Sequence, residues 1–325
     1  MIRSALIALA LLLGGVAHAQ ALPGAEPLTV LLSPEHPRPY QSFQVSPRSS
    51  LIDLSASTVR VSVDGTQVYE GSGTQAATVR AGALGTRTNV TVSVTDAAGK
   101  VYTKQISVRP AEVSLVLEPA STAHPFYKGG GLVASEGTVR LIALADLRTS
   151  AGVRIPPQNL VYTWRLGDRV LTDASGIGKS ALTATAPVRY RNADISVTVS
   201  SADSSLVAEA RTLVSAVDPV ARVYQNDPLL GPNFDMALAS RFSMPDTEAT
   251  FRAVGYFFAV PPVFSWNVNS SSGGSDKDVT VRATGNGTGT ARLSLTATES
   301  ESRRSASSAF TVDFGSARGF GFFGL

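Results

Sequence analysis

The sequence predicts an all-β chain of tandem Ig-like β-sandwich domains behind an N-terminal signal peptide. Three observations predict it. Apolar and polar residues alternate at period two along nearly the whole chain, with almost no helical periodicity. Turn residues interrupt the alternation at short intervals, which suits sandwiches and not βαβ units. The same succession of strands then recurs in three blocks.

The first 19 residues form a segment of their own. Arg3 supplies a positive start, Ala5 to Val16 is an uncharged apolar run, and Ala17-His18-Ala19 is a small-x-small cleavage site. The apolar run is shorter than the roughly 20 residues a spanning helix needs, and no later segment is long and apolar enough. The expectation is export, cleavage before Gln20, no membrane span afterwards, and an extracytoplasmic location (periplasm, cell surface or secreted).

Composition narrows the rest. The chain has 325 residues, 43% hydrophobic and 16% charged, enough apolar material for packed cores. Its net charge is +3, with positive charges scattered among acids and no basic run beyond Arg303-Arg304, which argues against a nucleic-acid partner. With no cysteine, disulfides, thiolate metal sites, a Cys nucleophile and an acylated lipoprotein anchor are all excluded.

In the first sandwich, expected over 20–110, an opening strand at Leu28–Leu32 precedes a bend at Pro34, Pro37 and Pro39 and a strand at Ser42–Val45. Thr58–Val63 places Val59, Val61 and Val63 on one face, and Asp64-Gly65 is a hairpin turn. Val68-Tyr69, Ala77–Arg80, Asn89–Thr95 and Val101–Val108 follow. In the second, 111–216, the strands read Val113–Leu117, Thr138–Leu144, Val161–Leu166, Ser180–Ala186, Ile195–Val199 and Ala208–Val214. In the third, 217–314, they read Ala221–Tyr224, Ala249–Val254, Val263–Val268, Val279–Ala283, Ala291–Ala297 and Ala309–Phe314. The sharpest internal match is Val161-Tyr-Thr-Trp164 with Val263-Phe-Ser-Trp266; it assigns Trp164 and Trp266 to the cores, with Val61 at the equivalent place in the first block. The connections Arg109-Pro110-Ala111 and Ala216–Pro219 are short, which predicts stiff joints.

On Trp164, Trp266 and this strand order, over about residues 26–314, the chain resembles Ig-like and PKD-like modules of tandem-module exported bacterial surface proteins. The disulfide partners of antibody-type domains are absent. The resemblance implies a display, spacer or adhesion role.

Few residues carry chemistry. His36 and His124 lie beside prolines without further metal ligands, and read as surface loop residues. No Gly-x-Ser-x-Gly elbow occurs, and Gly176-Ile-Gly-Lys-Ser180 lacks the upstream glycine of a phosphate loop. Asp64, Asp96, Asp168, Asp203, Asp276 and Asp278 sit at turns without a calcium-loop spacing. Glu299 and Glu301, beside Arg303 and Arg304, read as a solvated hairpin tip. No cofactor or catalytic set is expected, and the chain is not read as an enzyme.

The candidate partner-binding residues are aromatic. His124-Pro-Phe126-Tyr127 and Tyr224 to Asn233 follow the opening strands of the second and third blocks. Phe126 and Tyr127, or Leu229 and Leu230, are expected to plug the junction with the preceding domain or to form an exposed recognition surface. The Gly/Phe-rich tail 315–325, with Phe320, Phe322, Phe323 and Leu325, is expected to dock on a cell-envelope or surface assembly, serve in sorting, or pack on its own domain. The functional expectation is a non-enzymatic exported structural or adhesive protein. The alternative is a soluble carbohydrate- or peptide-binding protein that stacks a glycan on Phe126, Tyr127, Trp164 or Trp266.

Overall fold

The computed structural model describes residues 26–125, 127–285 and 287–315. Every long element in it is a β-strand; its helical content is three single turns of 3-10 helix. The signal peptide, Phe126 and the Phe/Leu positions of the tail lie outside the described residues.

The first set of strands is β1 (Thr29–Ser33), β2 (Ser42–Arg48), β3 (Thr58–Val63), β4 (Thr66–Ser72), β5 (Ala77–Arg80), β6 (Thr88–Thr95) and β7 (Val101–Val108). They form two sheets, β1-β2-β5 and β4-β3-β6-β7. The alternation does the sorting: Val59 and Val61 of β3 and Val90, Val92 and Val94 of β6 are all fully buried. Asp64 and Gly65 both have positive φ, 49° and 85°, as a type I′ hairpin requires.

The second set is β8 (Glu112–Ala120), β9 (Thr138–Asp146), β10 (Val161–Leu166), β11 (Arg169–Val170), β12 (Gly176–Ile177), β13 (Ala181–Thr185), β14 (Asn192–Ser200) and β15 (Val207–Ser215). The sheets are β13-β9-β8 and β11-β10-β14-β15, with β12 added to β10. The third set is β16 (Val220–Asp227), β17 (Gly231–Pro232), β18 (Arg241–Ser243), β19 (Glu248–Tyr256), β20 (Val263–Val268), β21 (Ser271–Gly274), β22 (Asp278–Arg282), β23 (Gly289–Thr298) and β24 (Ser305–Phe314). Its sheets are β17-β16-β19-β22 and β18-β24-β23-β20-β21, with β18 parallel to β24.

One topology thus occurs three times. The first two long strands and the short strand before the last pair make one sheet; the next long strand, the strand that follows it and the last two make the other. This is the arrangement of Ig-like and fibronectin III-like sandwiches. The registers agree as well: Val61 lies opposite Val92, Trp164 opposite Val197, and Trp266 opposite Leu295. Both tryptophans are fully buried in separate cores, one within 111–214 and one within 221–312.

Each indole N–H is also satisfied in the same way. Trp164 Nε1 donates to the Lys179 carbonyl at 2.9 Å, and Trp266 Nε1 donates to the Asp276 carbonyl at 3.0 Å. Both carbonyls precede the short strand of the smaller sheet. The Gly176–Ser180 segment therefore plays a structural part. It clamps Trp164, while Lys179 Nζ donates to the Asp173 carbonyl at 2.7 Å.

The described chain divides into two compact units. One gathers residues up to Glu35 with Phe43–Val79 and Asn89–Ser107; the other gathers His36–Ser42, Arg80–Thr88 and everything from Val108 onward. The second and third sandwiches therefore belong to a single unit, and the candidate site lies within it.

Candidate functional site

The site begins with a strand that is apolar on both faces. Along β16, Ala221 and Val223 point into the sandwich core, yet Tyr224 on the opposite face is also buried, at 7% exposure. On the neighbouring β19, Tyr256 is equally buried, and Phe257 follows it. These three rings form a second, smaller core, with Val217, Val220, Phe234, Ala237 and Val254 packed around them.

The cover for this outer face comes from the second sandwich. The loop between β8 and β9 crosses it, and Thr122 makes the attachment. The Thr122 amide donates to the Phe258 carbonyl at 2.8 Å, and the Phe257 amide donates to the Thr122 carbonyl at 2.7 Å. The Phe258 amide donates to Thr122 Oγ1 at 3.0 Å. Phe257 sits at φ 60°, a left-handed conformation that costs a bulky residue about 1–2 kcal/mol. The three bonds from Thr122 hold it there.

Beyond Thr122 the rings interlock. Tyr127 lies 5.5 Å from Tyr256 and 5.8 Å from Phe257, centroid to centroid. The His124 ring lies 3.5 Å from Phe234, and Phe234 lies 5.2 Å from Tyr224. The Tyr224 and Tyr256 hydroxyls bond to each other at 2.9 Å. Burial, then the Tyr224 hydroxyl, pushes the Tyr256 phenol well above its usual range. Burial, then the nearby Arg252 charge, pushes the His124 imidazole below its ordinary range.

A second contact staples the two sandwiches. Glu299 is buried, 1% exposed. One of its oxygens accepts the Val260 amide at 2.8 Å; the other accepts Arg304 Nε at 3.0 Å and the Ser302 hydroxyl. Arg304 Nη1 then lies 3.4 Å from Glu136 of the second sandwich. The connection itself is pinned: the Val217 amide donates to the Val133 carbonyl at 2.9 Å, and Arg189 pairs with Asp218 at 3.5 Å.

Between the crossing loop and the third sandwich a cleft of about 230 Å³ remains, lined by Thr122–Pro125, Phe234, Arg252–Gly255, Pro261, Pro262, Phe264 and Lys277. Arg252 is committed to a bidentate pair with Asp278. Lys277 is exposed and makes no ion pair among the described residues. The cleft thus presents rings and prolines with the cation Lys277, unpaired among the described residues, at its margin, an arrangement suited to an apolar group that carries negative charge.

The structure redistributes the sequence expectations. Tyr127 packs against the following sandwich and not at the junction with the preceding one. Leu229 and Leu230 plug nothing: they are 94% and 90% exposed. His124 is a half-buried wall of the cleft and not a surface loop residue. Glu299 is not at a solvated tip, because its carboxylate turns inward to the Val260 amide and Arg304. Trp164 and Trp266 have no exposed face, so neither ring is open to a glycan. Nothing in the sequence singles out Phe234, Arg252 and Lys277. The apolar run Ala253–Val260 was the available signal, since a strand apolar on both faces is covered on both.

No family model and no curated protein matches the chain. Among solved structures, the three N-terminal domains of the bacteriophage RB49 Highly Immunogenic Outer Capsid protein (Hoc) align over 89% of this chain and 99% of that chain, at 13% identity and a TM-score of 0.26. SGBP-B from the Bacteroides ovatus mixed-linkage glucan utilization locus, solved with a mixed-linkage heptasaccharide, aligns over 89% of this chain and 71% of that one, at 15% identity and a TM-score of 0.21. The Clostridium thermocellum CbhA fibronectin(III)-like modules align over 62% and 93%, at 12% identity and a TM-score of 0.23. These likenesses concern strand architecture alone. Among the described residues no helix is long and apolar enough to cross a membrane.

Proposed function

We infer that the chain is a non-enzymatic structural or adhesive protein, displayed outside the cytoplasm as tandem Ig-like, PKD-like modules of a bacterial surface assembly. The observation that carries this reading is the junction of the second and third sandwiches. A triply bonded threonine, the Tyr127 ring seated on an aromatic minor core and an Arg304–Glu136 ion pair fix one module against the next, as a protein that presents a surface at a set orientation requires. The Gly/Phe tail, with Phe320, Phe322, Phe323 and Leu325, attaches it to the assembly.

The test is protease shaving of intact cells, followed by peptide mapping. Display predicts release of peptides from 111–315 and a first residue at Gln20. Full protection, with the first 19 residues retained, would sink the reading. Deleting 316–325 is expected to move the protein from the envelope to the soluble fraction; unchanged fractionation removes the tail from the proposal.

A second reading, recognition of a glycan or peptide, is favoured by the cleft. Of Phe126, Tyr127, Trp164 and Trp266, Tyr127 is the one described residue with an open ring, 40% exposed. Calorimetric titration of an oligosaccharide panel, with Tyr127→Ala as control, tests it.

A further inference from the structure

The hairpin between β16 and β17 carries the two most exposed large apolar side chains described, Leu229 and Leu230. The tip is not loose. The Asp227 carboxylate accepts the amides of Leu229 and Leu230 at 2.8 and 2.9 Å, and Gly231 turns the chain at φ 80°. Asn226 and Asp227 then pair with Pro232 and Gly231. Two leucines are thus held out in water by a pre-organised frame, which lowers the ordering cost of any contact they make. The charged residues of 227–236 are Asp227 and Asp235, with no lysine or arginine.

The cleft matches this tip in size and sign. At about 230 Å³ it lies below the roughly 300–1,000 Å³ of sites for drug-sized ligands, so it suits an inserted side chain. Its walls include Pro261, Pro262 and Phe264; Arg252 at its margin is neutralised by Asp278, so the exposed Lys277 supplies its positive charge, and no carboxylate is among its described lining residues. An anionic bilayer fits the tip less well, because membrane-seating segments carry lysine and arginine beside their apolar residues.

We propose that the Leu229–Leu230 tip of one copy docks in the Arg252/Lys277 cleft of another copy of this chain. Tip and cleft are different patches, so the contact is heterologous and every copy offers both halves. The inference goes beyond the display reading and does not rest on it, since it concerns purified protein away from any cell.

Sedimentation velocity of the full chain over a concentration series tests it. The expected result is a mass that rises with concentration. Leu229→Ser with Leu230→Ser weakens the association by at least about a hundredfold, since two buried leucines are lost. Ala123→Trp, on the cleft wall, does the same by filling the receptor. Neither change touches a core, and circular dichroism verifies the fold of each. An equimolar mixture of the two variants regains a one-to-one complex, because each supplies the half the other lacks. A wild-type chain that stays monomeric throughout overturns the proposal. So does association unchanged in both variants, or a mixture that forms no complex. Leucine-dependent binding to phosphatidylcholine/phosphatidylglycerol vesicles without self-association would overturn it in favour of a lipid surface.

Discussion

Tyr162 places a hydroxyl in the fully buried core of the second sandwich, with no hydrogen-bond partner among the described residues. Burial pushes its phenol above the usual range, which is the same desolvation seen from the proton's side. Tyr162→Phe removes the orphaned group and keeps the ring, so it is expected to stabilise the protein by about 1 kcal/mol. Thermal melting reads the sign, and a clear loss of stability would mean the hydroxyl has a partner. Glu299 is the opposite case, buried but fully engaged. Burial raises its carboxyl; the Ser302 hydroxyl, the Val260 amide and Arg304 together lower it by more, so the folded-state value lies below the ordinary one. A depressed carboxylate contributes stability above its unfolded value and loses it as pH falls through the folded value. Melting temperature is therefore expected to fall in acid, below the ordinary glutamate range. Glu299→Gln should cost about 3 kcal/mol at neutral pH by leaving Arg304 without its buried partner, and should flatten that acid decline. An unchanged acid profile in the variant would show that other carboxylates set it.

At the level of elements, the long strands were legible because each buries one face and alternates cleanly. Thr58–Val63, Val161–Leu166 and Val263–Val268 carry the same bounds in the sequence pattern and in the structure. The missed elements are short: β12, β17 and β18 have two or three residues, too few for a period to register. The loop between β8 and β9 was hidden for another reason. Thr122 and Phe258 are 136 positions apart, and no local pattern encodes a partner at that separation. The loop's aromatics advertised a burial site without saying which domain supplied it. Thr122→Val keeps the shape and the backbone bonds but removes the hydroxyl acceptor. It is expected to cost about 1 kcal/mol and to speed hydrogen exchange at the Phe257 and Phe258 amides, with little change in the second sandwich's core strands. Unaltered exchange at those two amides would assign the loop a passive role.

At the scale of the whole molecule, two modules that the sequence joins by a short connection are coupled. The second and third sandwiches share one compact unit, with the Tyr127 ring against Tyr256 and Phe257, an Arg304–Glu136 ion pair and a short connection between them. They are expected to unfold in one cooperative transition, whereas independent modules would give two. Calorimetry distinguishes the outcomes, through the ratio of calorimetric to van't Hoff enthalpy. The fold class was readable because three blocks repeat one pattern and each repetition checks the others. The candidate cleft was not, because it is assembled from four separate stretches of chain, each ordinary by itself: Thr122–Pro125, Phe234, Arg252–Phe264 and Lys277.

The two clamped indoles have a practical consequence. The chain has two tryptophans, one at the centre of each of the last two sandwiches and none in the first. Light emitted on excitation at the red edge of the ultraviolet band therefore comes only from those two cores, and the first sandwich is dark. Replacing either tryptophan by phenylalanine leaves a chain with a single lamp, whose colour reports when its own sandwich admits water.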